Sequence, residues 1–339
     1  MEVSVSGSSL RVVNLTEVNP IDWNAFVANH PLGNVFQTWE MCEVYRHSDN
    51  NVPIGLAVED GGILKGVLLA VIITNGGRLL YPLTARSIVY GGPLVADNNE
   101  EVLRLLLKAY KKQLPWYVVY SEIRPVYDLQ SIENGLKMSG FERMGHYNLI
   151  LSLKPSEEEL LRAMHKKRRR EINRSMEYGL VFRELCSDEE KSDAISLIKH
   201  TYERKHVPFS SSQTLQNLCD YLGGLTCFFG AFLNDKMIAA KIDLCYKNLV
   251  YAWFAGSDEK AFSYYPNDFL MWKLICWSKE NGFEYLDFGG GGEPGVPYGV
   301  RDYKLKYGCE LCDYGRFLIK HHPVVYRLGK FYTKIIIKR

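Results

Sequence analysis

The 339-residue chain has almost no net charge, formally +2. The molecule as a whole therefore offers no electrostatic case for nucleic acid, and any such contact has to come from a local patch. It also lacks a long apolar run. The strongest, Val67 to Ile73, falls far short of the roughly 20 residues that a membrane-spanning helix needs. Met1 to Val13 contains no basic segment followed by an apolar core, so no secretory signal is expected and the cytoplasm is the expected compartment. A disulfide pattern is missing too: the eight cysteines are scattered, several inside apolar runs such as Leu225 to Phe229, and read as reduced core residues. Cys309 and Cys312, near His321 and His322, do not define a metal site, because there is no second cysteine pair. No metal is expected.

What is present is a regular alternation of strand and helix signals, in a chain long enough for two cores. In the first half, Leu10 to Leu15 reads as a strand, and Ile21 to Asn29 and Trp39 to Arg46 read as helices. Asp60-Gly61-Gly62 marks a hairpin between two apolar runs, and Arg78 to Pro82 and Val89 to Tyr90 read as extended. Asn98 to Gln113 is an amphipathic helix, Trp116 to Ile123 a strand and Asp128 to Met138 a helix. The second half repeats the theme. Ser156 and Glu159 form a capping box that opens one helix running to Tyr178. A second hairpin turns through Asn234-Asp235, Pro266 to Asn281 is helical, and Tyr285 to Phe288 is a strand entering four glycines. The pattern predicts an α/β chain with helices on both faces of mixed, mostly antiparallel sheets. Lys154-Pro155 is the best boundary, giving domains 1–153 and 154–316 with a tail, 317–339.

The segment from Asp287 through Gly289, Gly290, Gly291 and Gly292 is the most informative for chemistry. Glycines after a strand allow bare backbone to approach a ligand closely, and four in a row carry a large entropic cost. The alternative is a long turn between core elements. Downstream, Tyr303, Lys304 and Lys306 share a short segment. A lysine beside such a cleft can stabilise an acyl-transfer oxyanion; otherwise these are solvated lysines flanking core aromatics. On the helix running to Tyr178, Leu161, Met164, Ile172 and Met176 make an apolar stripe on which Arg168 falls, while Lys167, Arg169 and Arg170 fan outward. That face is either simply solvated or a contact for phosphate or tRNA. No histidine pairs with a serine or cysteine as a nucleophile, which favours direct transfer. The tail, Val324 to Arg339, mixes apolar and basic residues. It reads first as a docking strand or helix, with contact to an anionic membrane surface as the alternative.

Several stretches resemble the Fem family, the aminoacyltransferases that build peptidoglycan interpeptide bridges, and its acetyltransferase-like relatives. They are Pro31 to Thr38, the basic segment His165 to Gly179, Tyr251 to Ser257 with Tyr265 to Trp272, Asp287 to Gly289, and Tyr303-Lys304 with Lys306 to Gly308. The resemblance implies two tandem acetyltransferase-fold (GNAT) domains, with the final strand and tail returning to the first. It implies transfer of an aminoacyl group from aminoacyl-tRNA to an amine of a cell-wall or cell-surface precursor, lipid-linked precursors included. By that resemblance Lys304 stabilises the oxyanion, Asp287 shapes the cleft or helps remove a proton, and Arg204 contacts precursor phosphate. Gln37 lies in the entry motif, and Arg46 stands near the place of the family's first-domain lysine. Tyr303, Lys306, Gly289 and Gly290 complete the expected substrate contacts. No resident cofactor is implied. The glycine loop that binds coenzyme A pyrophosphate at a helix N-terminus is absent; Asp258 to Asn267 stands in its place. An acyl-coenzyme A donor, serving a polysaccharide, lipid or small amine, is the rival expectation.

Overall fold

The computed structural model describes residues 10–75, 77–206 and 211–337. They divide into two compact units, Met1–Gly145 with Tyr314–Arg339, and His146–Asp313. The division precedes the boundary expected at Lys154, because the strand Tyr147–Ser152 pairs inside the second sheet.

The first unit holds β1 (Arg11–Asn14), α1 (Pro20–Asn29), α2 (Trp39–His47), β2 (Asn51–Asp60), β3 (Ile63–Ile73) and α3 (Tyr81–Thr84). β4 (Arg86–Tyr90), β5 (Leu94–Val95), α4 (Glu100–Gln113), β6 (Tyr120–Arg124), α5 (Glu133–Met138) and β7 (Glu142–Met144) follow. Its sheet runs β1-β2-β3-β4-β6, then the late strand Arg316–Lys320, then β7, with β5 off β3. The β2–β3 turn works because Gly61 and Gly62 both take positive φ, 58° and 85°, which matches the twist of the flanking strands. α4 starts where Asn99 accepts from the N–H groups of Glu101 and Val102. It buries Val102, Leu103, Leu106, Leu107 and Tyr110 against the sheet. Arg78 to Pro82, expected as extended, is a helical turn entering α3. Pro82, in the first turn of α3, fits a helix start as well as a strand, so local sequence does not decide it.

The second unit begins with β8 (Tyr147–Ser152), α6 (Glu157–Ala163), α7 (Lys166–Glu177), β9 (Val181–Glu184), α8 (Asp188–Arg204) and α9 (Ser212–Leu222). It continues through β10 (Thr226–Leu233), β11 (Lys236–Tyr246), β12 (Leu249–Ser257), α10 (Pro266–Glu280), β13 (Tyr285–Gly292), α11 (Gly299–Leu305) and β14 (Glu310–Cys312). The strand order is β14-β8-β13-β12-β11-β10-β9. The late strand of the first unit is β15 (Arg316–Lys320), and α12 (Pro323–Ile337) closes the chain.

Three readings of the second unit change. The helix opened by Ser156 does not run to Tyr178. It stops at Ala163, and Met164 is extended, with ψ 148°. His165 then donates its backbone N–H to the Lys306 carbonyl, 2.9 Å away, while its ring caps α7 through the Lys167 N–H. A tertiary hydrogen bond from far along the chain sets the break, so the periodicity of Leu161, Met164 and Ile172 could not reveal it. Met176, placed on the apolar stripe, is exposed, whereas Arg168 is buried as its position on that stripe implied. The glycines are not a turn either: β13 runs through them, with Gly290 opposite Asn148 and Gly292 opposite Tyr147.

Candidate active site

The site starts where two parallel strands part. β12 and β13 pair at Leu249–Tyr285, Val250–Leu286 and Tyr251–Asp287, and no further. Beyond that point β13 stays with β8, while β12 stays with β11 across a bulge at Trp253. A bulge bends its strand and increases its twist, which carries Phe254 to Ser257 away from the glycines. The gap is a cavity of about 510 Å³, whose walls include Trp253, Ser257, Phe288, Lys241, Tyr303 and Lys304. An opening at the carboxyl end of parted strands is where open α/β sheets take ligands.

Lys304 enters this gap from α11. Its ammonium donates to the Gly290 carbonyl at 3.0 Å. Burial pulls its pKa down to about 8, against the nearby Asp287 carboxylate, which favours the charged form. Asp287 itself is fully buried at the last position of β13 that pairs with β12. Its carboxylate accepts from the Gly289 N–H at 2.6 Å and from the Asn148 amide at 3.1 Å. Burial pushes it up to about 6, opposed by those two donors and by Lys304. Gly289 turns the strand with φ 76°, a conformation that side chains resist. Arg301 braces the loop after the glycines through the Gly291, Glu293 and Val296 carbonyls.

Behind α11 lies a buried polar network. Asp268 of α10 is bound to Arg168 of α7 and accepts from the Tyr307 hydroxyl at 2.6 Å. Tyr307 in turn meets the Tyr303 hydroxyl at 2.8 Å, and the Arg168 guanidinium stacks 4.7 Å from the Tyr303 ring centre. Glu171 is the second carboxylate on Arg168, at 3.1 Å. The two tyrosines flank Lys304 in sequence, so this network orients the segment that carries it.

Lys304, Asp287, Tyr303, Gly289 and Gly290 thus come together, Tyr303 and Lys304 on the cavity wall and the other three beside Lys304, behind that wall. Lys306 does not line the cavity; it follows α11, where its backbone holds His165. Arg204 sits 3.4 Å from Glu259 and over the Phe262 ring, while its neighbour Lys205 reaches the cavity wall. Gln37 and Arg46 lie in the first unit. Gln37 is wholly buried, bonding the backbone of Leu69 and Tyr90, so all its polar atoms serve the fold. Arg46 is exposed, 2.7 Å from Glu43. Lys167, Arg169 and Arg170 lie on the outer side of α7, with Lys167 3.9 Å from Glu171 and Arg169 donating to the Arg162 carbonyl.

Lys241 and Asp243 were not anticipated. Both lie in β11, buried, with Lys241 on the cavity wall. Their signal in the sequence was two charges at strand spacing inside an otherwise apolar run, Met237 to Cys245. Cys309, raised in the sequence as one half of a poor metal pair, is buried with its sulfur 3.1 Å from the Lys304 carbonyl. None of the eight cysteines is in a disulfide.

A parted parallel strand pair on a mixed sheet flanked by helices is the arrangement of the GNAT fold, built here as two GNAT-like domains in tandem. Residues 161–305 match the family model described as an acetyltransferase (GNAT) domain. The structure is similar to that of FemX, with TM-score 0.72 at 17% identity over 94% of this chain and 99% of that one. It is also similar to a tandem GNAT protein from the clavulanic acid biosynthesis pathway, solved without AcCoA (TM-score 0.57, 11% identity, 92% and 99% covered). L-PGS from Bacillus licheniformis aligns with TM-score 0.56 at 16% identity, covering 92% of this chain and 96% of that chain. No curated protein sequence matches the chain. Among the described residues no helix is long and apolar enough to cross a membrane.

Proposed function

We propose that the second unit transfers an aminoacyl group from an ester carrier, aminoacyl-tRNA, to an amine of a cell-wall or cell-surface precursor. The acyl carbonyl enters the gap between β12 and β13. The acceptor nitrogen attacks the carbonyl carbon, a C–N bond forms, and the ester C–O bond breaks. The proton lost by the amine ends on the departing carrier oxygen. Lys304, largely charged at pH 7 with its pKa near 8, donates to the oxyanion that develops between these steps. Asp287 is a positioning residue in this scheme rather than a base: both its oxygens are already engaged, by Gly289 and Asn148. It fixes the bend at Gly289 and supports the charge on Lys304.

One observation carries the choice of donor. In the turn after β12, Asp258 accepts from the Lys260 N–H at 3.0 Å and from the Lys236 ammonium at 3.1 Å, and Glu259 adds a second carboxylate. One backbone N–H of this turn is thus capped by the chain's own carboxylate, and two acidic side chains stand where a pyrophosphate would bring further negative charge, which disfavours a coenzyme A donor. The Fem resemblance and the likeness in fold to FemX and L-PGS support the same reading. The outer cations of α7 then supply carrier contacts.

The test offers purified protein a panel of aminoacyl-tRNAs and acetyl-coenzyme A separately, with amine-bearing cell-wall precursors as acceptors. Transfer from an aminoacyl ester, with no thermal shift by coenzyme A, is expected. Transfer from acetyl-coenzyme A alone would overturn the proposal.

A further inference from the structure

The C-terminal helix α12 turns an apolar stripe outward. Val325 and Tyr326 are half-buried, with the Tyr326 ring edge-on to Tyr120 at 5.2 Å. Val324, Leu328 and Phe331 follow a helical spacing of four and three and are 69%, 64% and 66% exposed. A stripe at that spacing normally faces a core; here it faces away from the first unit.

Neighbouring elements of that unit extend it. α12 packs on α3, whose approach carries Leu79, 95% exposed, with Leu80 and Leu83 also exposed. The His322 ring, just ahead of α12, bonds the carbonyl of Trp116 at 2.6 Å, and the Trp116 side chain is 75% exposed. The three contributing segments, 77–90, 110–121 and 314–339, contain no aspartate or glutamate at all. They contain Arg78, Arg86, Lys111, Lys112, Arg327 and Lys330 among their cations, in a chain whose net charge is only +2. Arg316 and Lys320 are held by Glu122 and Glu142, but Arg327 and Lys330 are exposed beside the apolar stripe.

We propose that this face of the first unit docks on the surface of an anionic lipid bilayer. Exposed leucines, a phenylalanine and a tryptophan flanked by cations, without acidic residues, suit the boundary between headgroups and acyl chains. The residues project from a helix and a turn and line none of the described cavities. They have the shape of groups that insert into a fluid medium, not of a groove that receives a partner's anchor. A nucleic acid would use the cations and leave Leu79, Leu328 and Phe331 uncovered. Docking of this face does not depend on the proposed transfer reaction.

The experiment is flotation of the full chain with vesicles of phosphatidylcholine alone or with one-third phosphatidylglycerol, comparing wild type with Leu328→Glu/Phe331→Glu and Arg327→Glu/Lys330→Glu. These positions are exposed, and circular dichroism and melting temperature check that the fold is kept. The expected result is partitioning to anionic vesicles at least tenfold stronger than to neutral ones, weakened at least tenfold by either pair of substitutions. Equal or absent binding to both vesicles, or binding undiminished in both variants, would overturn the proposal. So would a concentration-dependent dimer, without vesicle binding, that Leu328→Glu/Phe331→Glu abolishes, since it would assign the face to a second copy.

Discussion

The Lys241 ammonium lies 3.2 Å from the Asp243 carboxylate, two residues along the same strand, and both side chains are all but inaccessible to water. With the half-buried Lys304 and the buried Asp287 they put two lysines and two aspartates around the parted strands. Burial raises Asp243 to about 6 against the pull of Lys241. Breaking such a pair from one side leaves a buried charge without a counter-charge. Lys241→Met is therefore expected to destabilise the fold by about 3 kcal/mol. Lys241→Met/Asp243→Leu is expected to recover most of that loss, because both charges leave together. Urea denaturation of the two variants checks this; equal loss in both would show that the pair does not act as a unit.

Asp287 makes stability depend on pH in an unusual direction. Its folded pKa, about 6, lies above the ordinary 3.8. The folded state therefore holds this proton more tightly than the unfolded state. The contribution is fully present below pH 3.8 and is lost as pH rises through about 6. A shift of that size corresponds to roughly 3 kcal/mol. Asp287→Asn removes it, so the stability of wild type relative to the variant should fall between pH 4 and 7. Denaturation across that window measures it, and a difference that stays constant with pH would contradict the assignment.

Asp268 is expected to hold Lys304 indirectly. Asp268→Asn leaves the buried Arg168 with Glu171 as its carboxylate partner and weakens the bond to Tyr307. A loss of roughly 2–4 kcal/mol is expected, and Arg168→Met, which deprives both Asp268 and Glu171 of their shared cation, should lose more. Comparison of their melting temperatures decides this.

Neutralising Lys167, Arg169 and Arg170 together should weaken tRNA binding and flatten its salt dependence. The log–log slope should fall by about 0.7 for each phosphate that the protein no longer neutralises. Filter binding from low to high salt gives the slope. An unchanged slope would rule out these three cations as the carrier's binding surface.

The elements legible in the sequence were those decided locally. The hairpins at Gly61-Gly62 and Asn234-Asp235 needed positive φ, which all four residues adopt, and the apolar stripe of α4 faces its core. Arg168 was visible because it falls on a buried stripe. What escaped was decided at a distance. The interruption at Met164 depends on the Lys306 carbonyl, and the continuation of β13 through four glycines, bent at Gly289 and Gly292, depends on pairing with Asn148 and Tyr147. Gln37 resembled a substrate contact in its motif, yet it braces Leu69 and Tyr90. The strand that holds Lys241 and Asp243 was legible, but their pairing and burial were not, because spacing alone does not show which face of a strand is covered.

The central claim is that Lys304 stabilises the oxyanion, and one comparison tests it most directly: the transfer rate of Lys304→Ala against wild type at pH 7 under saturating donor and acceptor. The expected result is an unchanged melting profile and a rate lowered at least tenfold, with about 100-fold typical for one lost oxyanion donor. Wild-type transfer should also decline as pH rises through about 8, where Lys304 loses its charge, while the residual rate of the variant does not follow that decline. Full transfer by a folded Lys304→Ala protein would contradict the claim.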